Sequence, residues 1–189
     1  MAQNHTGVTM IRQHLRNIPN WTLPPGYSFR WYRPGDEKWW YNIQKQADQL
    51  NDIMPESFVH SFGTDEHLLE ERILFLIDPE GHAIGTAAAW FDDNFPGQSW
   101  GRVHWVAIVP QRQGRGFSKP LMTQVCLHLR QLGYERAYLT TDIARIPAIR
   151  LYLSFGFRPV ISSQKDLQIW KDFENRSSYS SHPELPTPS

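Results

Sequence analysis

Val103–Ser118, VHWVAIVPQRQGRGFS, is the stretch on which the fold turns. A compact apolar strand, Arg102–Val109, runs into a glycine-rich turn that carries Arg112 and Arg115. Lys119–Leu132 then has helical spacing, with Leu121, Val125, Leu129 and Leu132 on one stripe. A strand that delivers glycines to a helix N-terminus lets backbone N–H groups approach an anion closely, and the helix dipole adds partial positive charge. Glycine turns are also common wherever strand meets helix, so the neighbouring segments decide what this one means.

Upstream, residues 1–9 are polar, and 1–26 together predict an extended lead-in that ends in Leu23-Pro24-Pro25-Gly26. Tyr27–Tyr32 predicts a first strand, and Asp36 caps a helix running to Ala47. Thr64 or Asp65 caps a second helix ending near Glu71. Arg72–Ile77 and His82–Phe91 then form a hairpin about Asp78-Pro79-Glu80-Gly81, followed by a loop at Asp92–Gln98. Downstream, Gly133 closes the long helix, Arg136–Thr141 is a strand, and Pro147 opens a helix ending at Gly156. Phe157–Ser162 and Leu167–Lys171 are expected as two last strands. The Ser- and Pro-rich residues 173–189 are expected to form a disordered tail. The domain proper is thus placed at 27–172.

Composition narrows the function classes. The 189 residues most simply make one domain with a single core. Nineteen basic residues balance nineteen acidic ones, which argues against a dedicated nucleic-acid binder. The single cysteine, Cys126, excludes an intrachain disulfide and sits on the apolar helix stripe as core. The chain has no apolar stretch long enough to span a membrane and no signal-peptide pattern at its start, so a cytoplasmic protein is expected. No histidine spacing suggests a metal site.

Three local patterns then align. They are Ile108-x-Pro110-x-x-Gln113-Gly114-Arg115-Gly116-x-Ser118, the strand Ala137-Tyr138-Leu139-Thr140, and Ala148-Ile149-x-Leu151-Tyr152-x-x-x-Gly156-Phe157. With the order of elements, they resemble the GNAT superfamily of acetyl-CoA-dependent N-acetyltransferases, over roughly residues 27–172. The resemblance implies a single α/β domain with a mixed, mostly antiparallel sheet, helices on both faces and a splayed fourth and fifth strand. It also implies an acetyl group passed directly from acetyl-CoA to a primary amine of a small molecule or peptide, in a ternary complex. No metal, nucleic acid or membrane is expected to take part, and a homodimer is left open.

By the same resemblance, the backbone of Val106, Ala107 and Ile108 holds the acetyl and pantetheine end of the cofactor. The loop Gln113, Gly114, Arg115, Gly116, Phe117 and Ser118 holds its pyrophosphate. Two positions depart from the family pattern: Ser118 replaces the usual Gly or Ala, and Arg145 replaces a frequent Asn, where it could pair with a phosphate instead. A non-catalytic acyl-CoA-binding domain and a same-fold enzyme with another acyl group or acceptor are the alternatives. A P-loop is disfavoured because the glycine spacing and the following Lys-Ser/Thr are missing.

Acyl transfer to an amine needs a neutral nucleophile, a donor for the developing oxyanion and a proton for the leaving thiolate. By the resemblance, backbone N–H at Ile108 or its neighbour is the expected donor, and Tyr152 the expected acid. For the base, strand alternation places His104 on one face with Val106 and Ile108, and an imidazole pKa near ~6.5 suits neutral pH. Asp142, just past a strand end, competes with it, and an ordered water is a third route. Trp39-Trp40-Tyr41 and Trp90-Phe91-Asp92-Asp93 stand near the expected acceptor groove, although core packing explains the tryptophans equally well.

Overall fold

The hairpin and the long helix predicted around the glycine turn are present, and a strand not expected from the sequence completes the sheet beside them. The structure, a computed structural model, describes residues 6–91 and 100–177. Its elements in chain order are β1 (Gly7–Arg12), β2 (Ser28–Trp31), α1 (Glu37–Ala47), α2 (Ser57–Phe62), α3 (Glu66–Arg72), β3 (Ile73–Ile77), β4 (Ala83–Trp90), β5 (Trp100–Ile108), α4 (Ser118–Gln131), β6 (Arg136–Asp142), α5 (Ile146–Ser154), β7 (Arg158–Pro159) and α6 (Gln164–Ser177). The seven strands form one sheet in the order β2-β3-β4-β5-β6-β1-β7. Every pairing is antiparallel except β5–β6, which is parallel.

Side-chain size explains how the two faces are covered. Gly85, Ala87 and Ala89 alternate along one face of β4, and Ala89 stands opposite Val103 of β5. These small residues let α4 approach, and Leu121, Val125 and Leu129 of its apolar stripe are fully buried. The other face carries Thr86, Ala88 and Trp90. There the Phe62 ring of α2 lies 4.9 Å from Trp90, and Trp40 of α1 is fully buried. Trp40, Ile43 and Gln44 follow the i, i+3, i+4 spacing of a helix face pressed on a sheet. Asp36 does open α1 and Asp65 does cap α3. The Asp65 side chain accepts from His67 and Leu68 N–H, whereas Asp36 contributes its backbone carbonyl and turns its carboxylate to Arg30 and Arg33.

Several expectations need correction. Gly7–Arg12 lies in the expected lead-in, yet it is a strand inserted between β6 and β7, with Met10 fully buried opposite Leu139. A six-residue strand whose partner lies more than a hundred residues away has no local signal beyond its alternation, and its buried face ends in an arginine. Leu167–Lys171, expected as a strand, belongs to α6. Ser163 and Asp166 exchange hydrogen bonds in a capping box, and Trp170 and Phe173 bury themselves one helical turn apart. A further short helix, α2, was not anticipated. Arg158–Pro159 is all that forms of the other late strand. Residues 173–177, expected in the disordered tail, instead continue α6, where Phe173 packs into the core; the rest of that tail and the loop expected at Asp92–Gln98 lie outside the described residues.

Between β3 and β4, Asp78 closes the turn by accepting Glu80 and His82 N–H and pairs with Arg112 at 3.1 Å. Burial alone would raise its carboxyl. The turn N–H groups, His82 and Arg112 outweigh burial and hold it below the usual carboxylate range.

Two stability outcomes follow. Asp78 is depressed in the folded state, so its contribution is complete above the ordinary carboxylate value of about 3.9 and is lost as pH falls through its lower folded value. Asp78→Asn should therefore melt below the wild type at pH 7, with the gap narrowing in scans below about pH 4. Separately, a Cβ at Gly101 would stand 2.6 Å from Leu129 Cδ2 and 3.0 Å from the Tyr134 ring. Gly101→Ala should lose about 1–3 kcal/mol of unfolding free energy in a denaturant titration.

Candidate active site

Strand β5 carries one residue too many for its neighbour. Ala88 faces His104 and Thr86 faces Ala107, so Ala87 alone stands against Trp105 and Val106. Trp105 accommodates the extra residue by adopting a left-handed backbone, φ 50°, which a β-bulge permits and a regular strand does not. On its other edge β5 pairs with β6 through Trp100, Gly101 and Arg102 only. Beyond Arg102 the two strands part, as expected for the fourth and fifth strands, which β1 renumbers to the fifth and sixth.

The bulge also changes which side chains share a face. His104 and Ala107, opposite Ala88 and Thr86, lie on the α1–α2 side, and Ile108, opposite Gly85, lies on the α4 side. The expected common face for His104, Val106 and Ile108 is therefore broken by the inserted residue.

Where β5 and β6 part, a cleft of about 580 Å³ opens. Val103–Val106 of β5 and Thr140–Asp142 of β6 form its two walls. The α1–α2 connection and α2 contribute Asp48, Asn51, Asp52, His60 and Ser61, and α5 contributes Arg145, Ala148 and Tyr152. The structure thus brings His104, Asp142, Arg145, Val106 and Tyr152 into one cavity.

Each of these side chains has a definite setting. The His104 ring lies 5.6 Å from both Phe62 and Trp105. Asp142 accepts Thr6 N–H at 2.9 Å through Oδ2 and Ala144 N–H at 2.8 Å through Oδ1, so it anchors the strand end and the following turn. Tyr152 is 7 % exposed, and burial pushes its phenol up to about 12, with the Arg145 charge pulling against that rise. Arg145 itself donates to Asp48 Oδ1 at 2.6 Å.

Asp48 gathers several hydrogen bonds in the cleft wall. Besides Arg145, its carboxylate accepts Leu50 and Asn51 N–H and the Asn51 side-chain amide. Burial favours its neutral form. The bonds from Arg145 and Asn51 prevail and hold the carboxyl below its usual range. One turn earlier, Gln44 donates to the Trp105 carbonyl at 2.8 Å, so the bulge is braced from α1. Neither Gln44 nor Asp48 was singled out from the sequence. Their i, i+4 spacing at the end of an amphipathic helix was the one available signal.

The loop Gln113–Ser118 is not part of the cleft wall. It follows the 3-10 turn Pro110–Arg112 at the far end of β5, and Gln113 Nε2 ties it back to the Ile108 carbonyl at 2.8 Å. Gly114 and Gly116 have φ values of 72° and 84°, and a Cβ on either would meet nothing within 4 Å. The backbone there is left-handed and open to an approaching group. No side chain caps α4, which begins at Ser118 behind the buried Phe117. A concave turn at an uncapped helix N-terminus suits a phosphate group. Arg112 is committed to Asp78, and Lys119 lies over the Trp21 ring at 4.2 Å, so Arg115 is the exposed arginine of the loop. Ala107 and Ile108 are buried and do not line the cleft, whereas Val106 does.

This split sheet with its glycine loop can be compared with known proteins. Residues 15–157 match the model of the Acetyltransferase (GNAT) family. The chain belongs to the GNAT family.

Among curated relatives, the GNAT chain is 30% identical over 159 residues to a mycothiol acetyltransferase of Saccharomonospora viridis, covering 75% of this chain and 49% of that protein. It is 28% identical over 147 residues to the mycothiol acetyltransferase of an Arthrobacter species, covering 74% and 45%. The chain therefore spans about half the length of the curated relatives it matches. A GCN5-related N-acetyltransferase from Sphaerobacter thermophilus superposes with a TM-score of 0.68 at 21% identity, over 82% of this chain and 49% of that one. A GNAT-family acetyltransferase from Colwellia psychrerythraea gives 0.64 at 11% identity, over 84% and 55%. At such identities the likeness is one of fold. No helix among the described residues is long and apolar enough to cross a membrane.

Proposed function

We propose that this chain binds acetyl-CoA along β5 and the loop Gln113–Ser118 and moves its acetyl group directly to an amine, both substrates being held at once. The observation that carries the reading is the cleft where β5 leaves β6. It sets Tyr152, His104 and an unpaired strand edge together, at one end of the strand whose other end delivers the glycine loop.

The residues present fit a coenzyme A species. Gly114 and Gly116 leave space in front of a left-handed backbone, which suits a pyrophosphate, and Arg115 adds an exposed positive charge. Ser118 starts α4 without obstructing that space, so its departure from Gly or Ala is tolerated. Past Arg102, the backbone of Val106–Ile108 has an edge without a β6 partner, where an N–H can meet the thioester oxygen as it becomes an oxyanion.

In this reading the amine nitrogen attacks the thioester carbonyl carbon, the carbon–sulfur bond breaks, and the Tyr152 hydroxyl protonates the departing sulfur. The proton of the amine leaves to a base. His104 on β5 and Asp142, which accepts Thr6 and Ala144 N–H, are the two side-chain candidates, and both line the cleft. Cys126 is fully buried in α4 with its thiol pushed up to about 12, so it does not serve as an acyl carrier, and transfer is direct.

The acceptor is a polar amine. Asn51, Asp52, Ser57, His60 and Ser61 give the cleft a hydrogen-bonding wall on the α1–α2 side. The matched relatives are named for mycothiol, which favours a small molecule over a peptide.

Calorimetric titration with acetyl-CoA, followed by measuring coenzyme A release across a panel of small amines and peptides, tests the reading. Binding with release on at least one amine is expected, and no binding of any coenzyme A species overturns it. Tyr152→Phe should keep the fold and the affinity for coenzyme A while kcat drops by roughly 10²-fold, the usual size of a general-acid contribution. Gly116→Ala should show the reverse pattern, with coenzyme A binding weakened about tenfold or more and the melting temperature only slightly lowered, since αL strain in alanine is about 1 kcal/mol.

A further inference from the structure

Arg145 stands where the family pattern often has Asn, and a phosphate partner was the role expected for it. Its surroundings point elsewhere. The guanidinium lies in the cleft, two helical turns before Tyr152 on the same side of α5, with Ala148 between them on the cleft wall. Its Nη2 meets the Asp48 carboxylate, and the Asp48 side chain is 3 % exposed. The glycine loop does not border this cavity.

Tyr152 poses a difficulty that Arg145 answers. A buried phenol holds its proton tightly, which is a poor property for a group that must release it to a thiolate in the same step. A fixed positive charge nearby stabilises the phenolate that forms. Arg145 supplies that charge, and Asp48 holds it in place from the α1–α2 connection, 97 residues away in the chain. Gln44, one turn before Asp48, grips the bulge carbonyl, so one helix end braces both the bulged strand and the charge that shares the cavity with the acid.

We propose that Arg145, tethered by Asp48, is a positioning residue for proton release from Tyr152 rather than a ligand of the coenzyme A phosphates. The inference rests on the acetyltransferase reading above and assigns it a residue outside the family pattern.

Two measurements on the full chain separate the roles: coenzyme A affinity by calorimetry, and kcat with KM on whichever amine supports turnover. Arg145→Gln should leave coenzyme A affinity within about twofold of wild type while kcat falls roughly tenfold or more. Arg145→Lys, which keeps the charge, should recover most of that kcat. In a Tyr152→Phe background, Arg145→Gln should change kcat by less than about twofold, because the group it serves is gone. Asp48→Ala removes the Oδ1 to which Arg145 donates and should give the same split at smaller size, which keeps the test open if Arg145→Gln folds poorly.

A coenzyme A affinity weakened about tenfold with kcat preserved would make Arg145 a phosphate ligand and overturn the inference. Fully multiplicative effects of Arg145→Gln and Tyr152→Phe on kcat would also overturn it. An unchanged kcat in Asp48→Ala would sink the tether. A wild-type chain that binds no coenzyme A species is a distinct result, and it overturns the acetyltransferase reading itself.

Discussion

One extra residue in β5 governs the geometry of this domain. Opposite Ala87 the strand must fit both Trp105 and Val106, and it does so by turning Trp105 into a left-handed conformation. A bulge increases local twist and bends the strand that carries it. Here the bend comes just after the last pairing with β6, at Arg102, so the two strands part rather than continue in register. The cleft is the space that this departure leaves. A strand edge without its neighbour is a hazard in an ordinary sheet and a resource where an oxyanion must be met by backbone N–H.

A left-handed tryptophan is costly, and surrounding contacts must over-determine it. The Trp105 ring packs edge-on against the fully buried Trp40 at 5.1 Å, and its carbonyl accepts from Gln44. Both partners come from α1. Trp40 and Gln44 are one turn apart, and Asp48 follows one turn later, so the same helix face that seals the core also braces the bulge and reaches across to Arg145. The α1–α2 side of the cleft is thus fastened to β5 and to the start of α5 through a single amphipathic helix end.

How much of this could be read from the chain depended on distance along it. The hairpin, the glycine turn, α4 and α5 each carry their signal within about twenty residues, as local periodicity and turn residues allow. The helix that carries Tyr152 and the position of the glycine turn were therefore legible. The bulge was not, because an inserted residue leaves strand alternation looking intact over Val103–Ile108 until the register with β4 is known. Gln44 and Asp48 were hidden for the related reason that their partners lie 61 and 97 residues away. Arg145 departs from the family pattern at a position whose sequence gives no sign of its partner, Asp48.

The unexpected strand β1 belongs to the same account. It hydrogen-bonds along β6, and Thr6, just ahead of it, donates to Asp142 at the mouth of the cleft. At its other end the buried Arg12 donates to the carbonyls of His14, Arg16, Asn17 and Phe155. Phe155 closes α5, where a helix leaves carbonyls without internal partners, so a buried cation there answers both that need and the helix dipole. Gly156 is required for two reasons at once: its φ is 78°, and a Cβ would stand 3.1 Å from Arg12 Nη1. The helix that carries Tyr152 is consequently pinned at both ends by arginines, Arg145 to Asp48 at its start and Arg12 to Phe155 at its finish. A phenol placed by that helix can hold a fixed position against the bulged strand, which the proposed proton transfer demands.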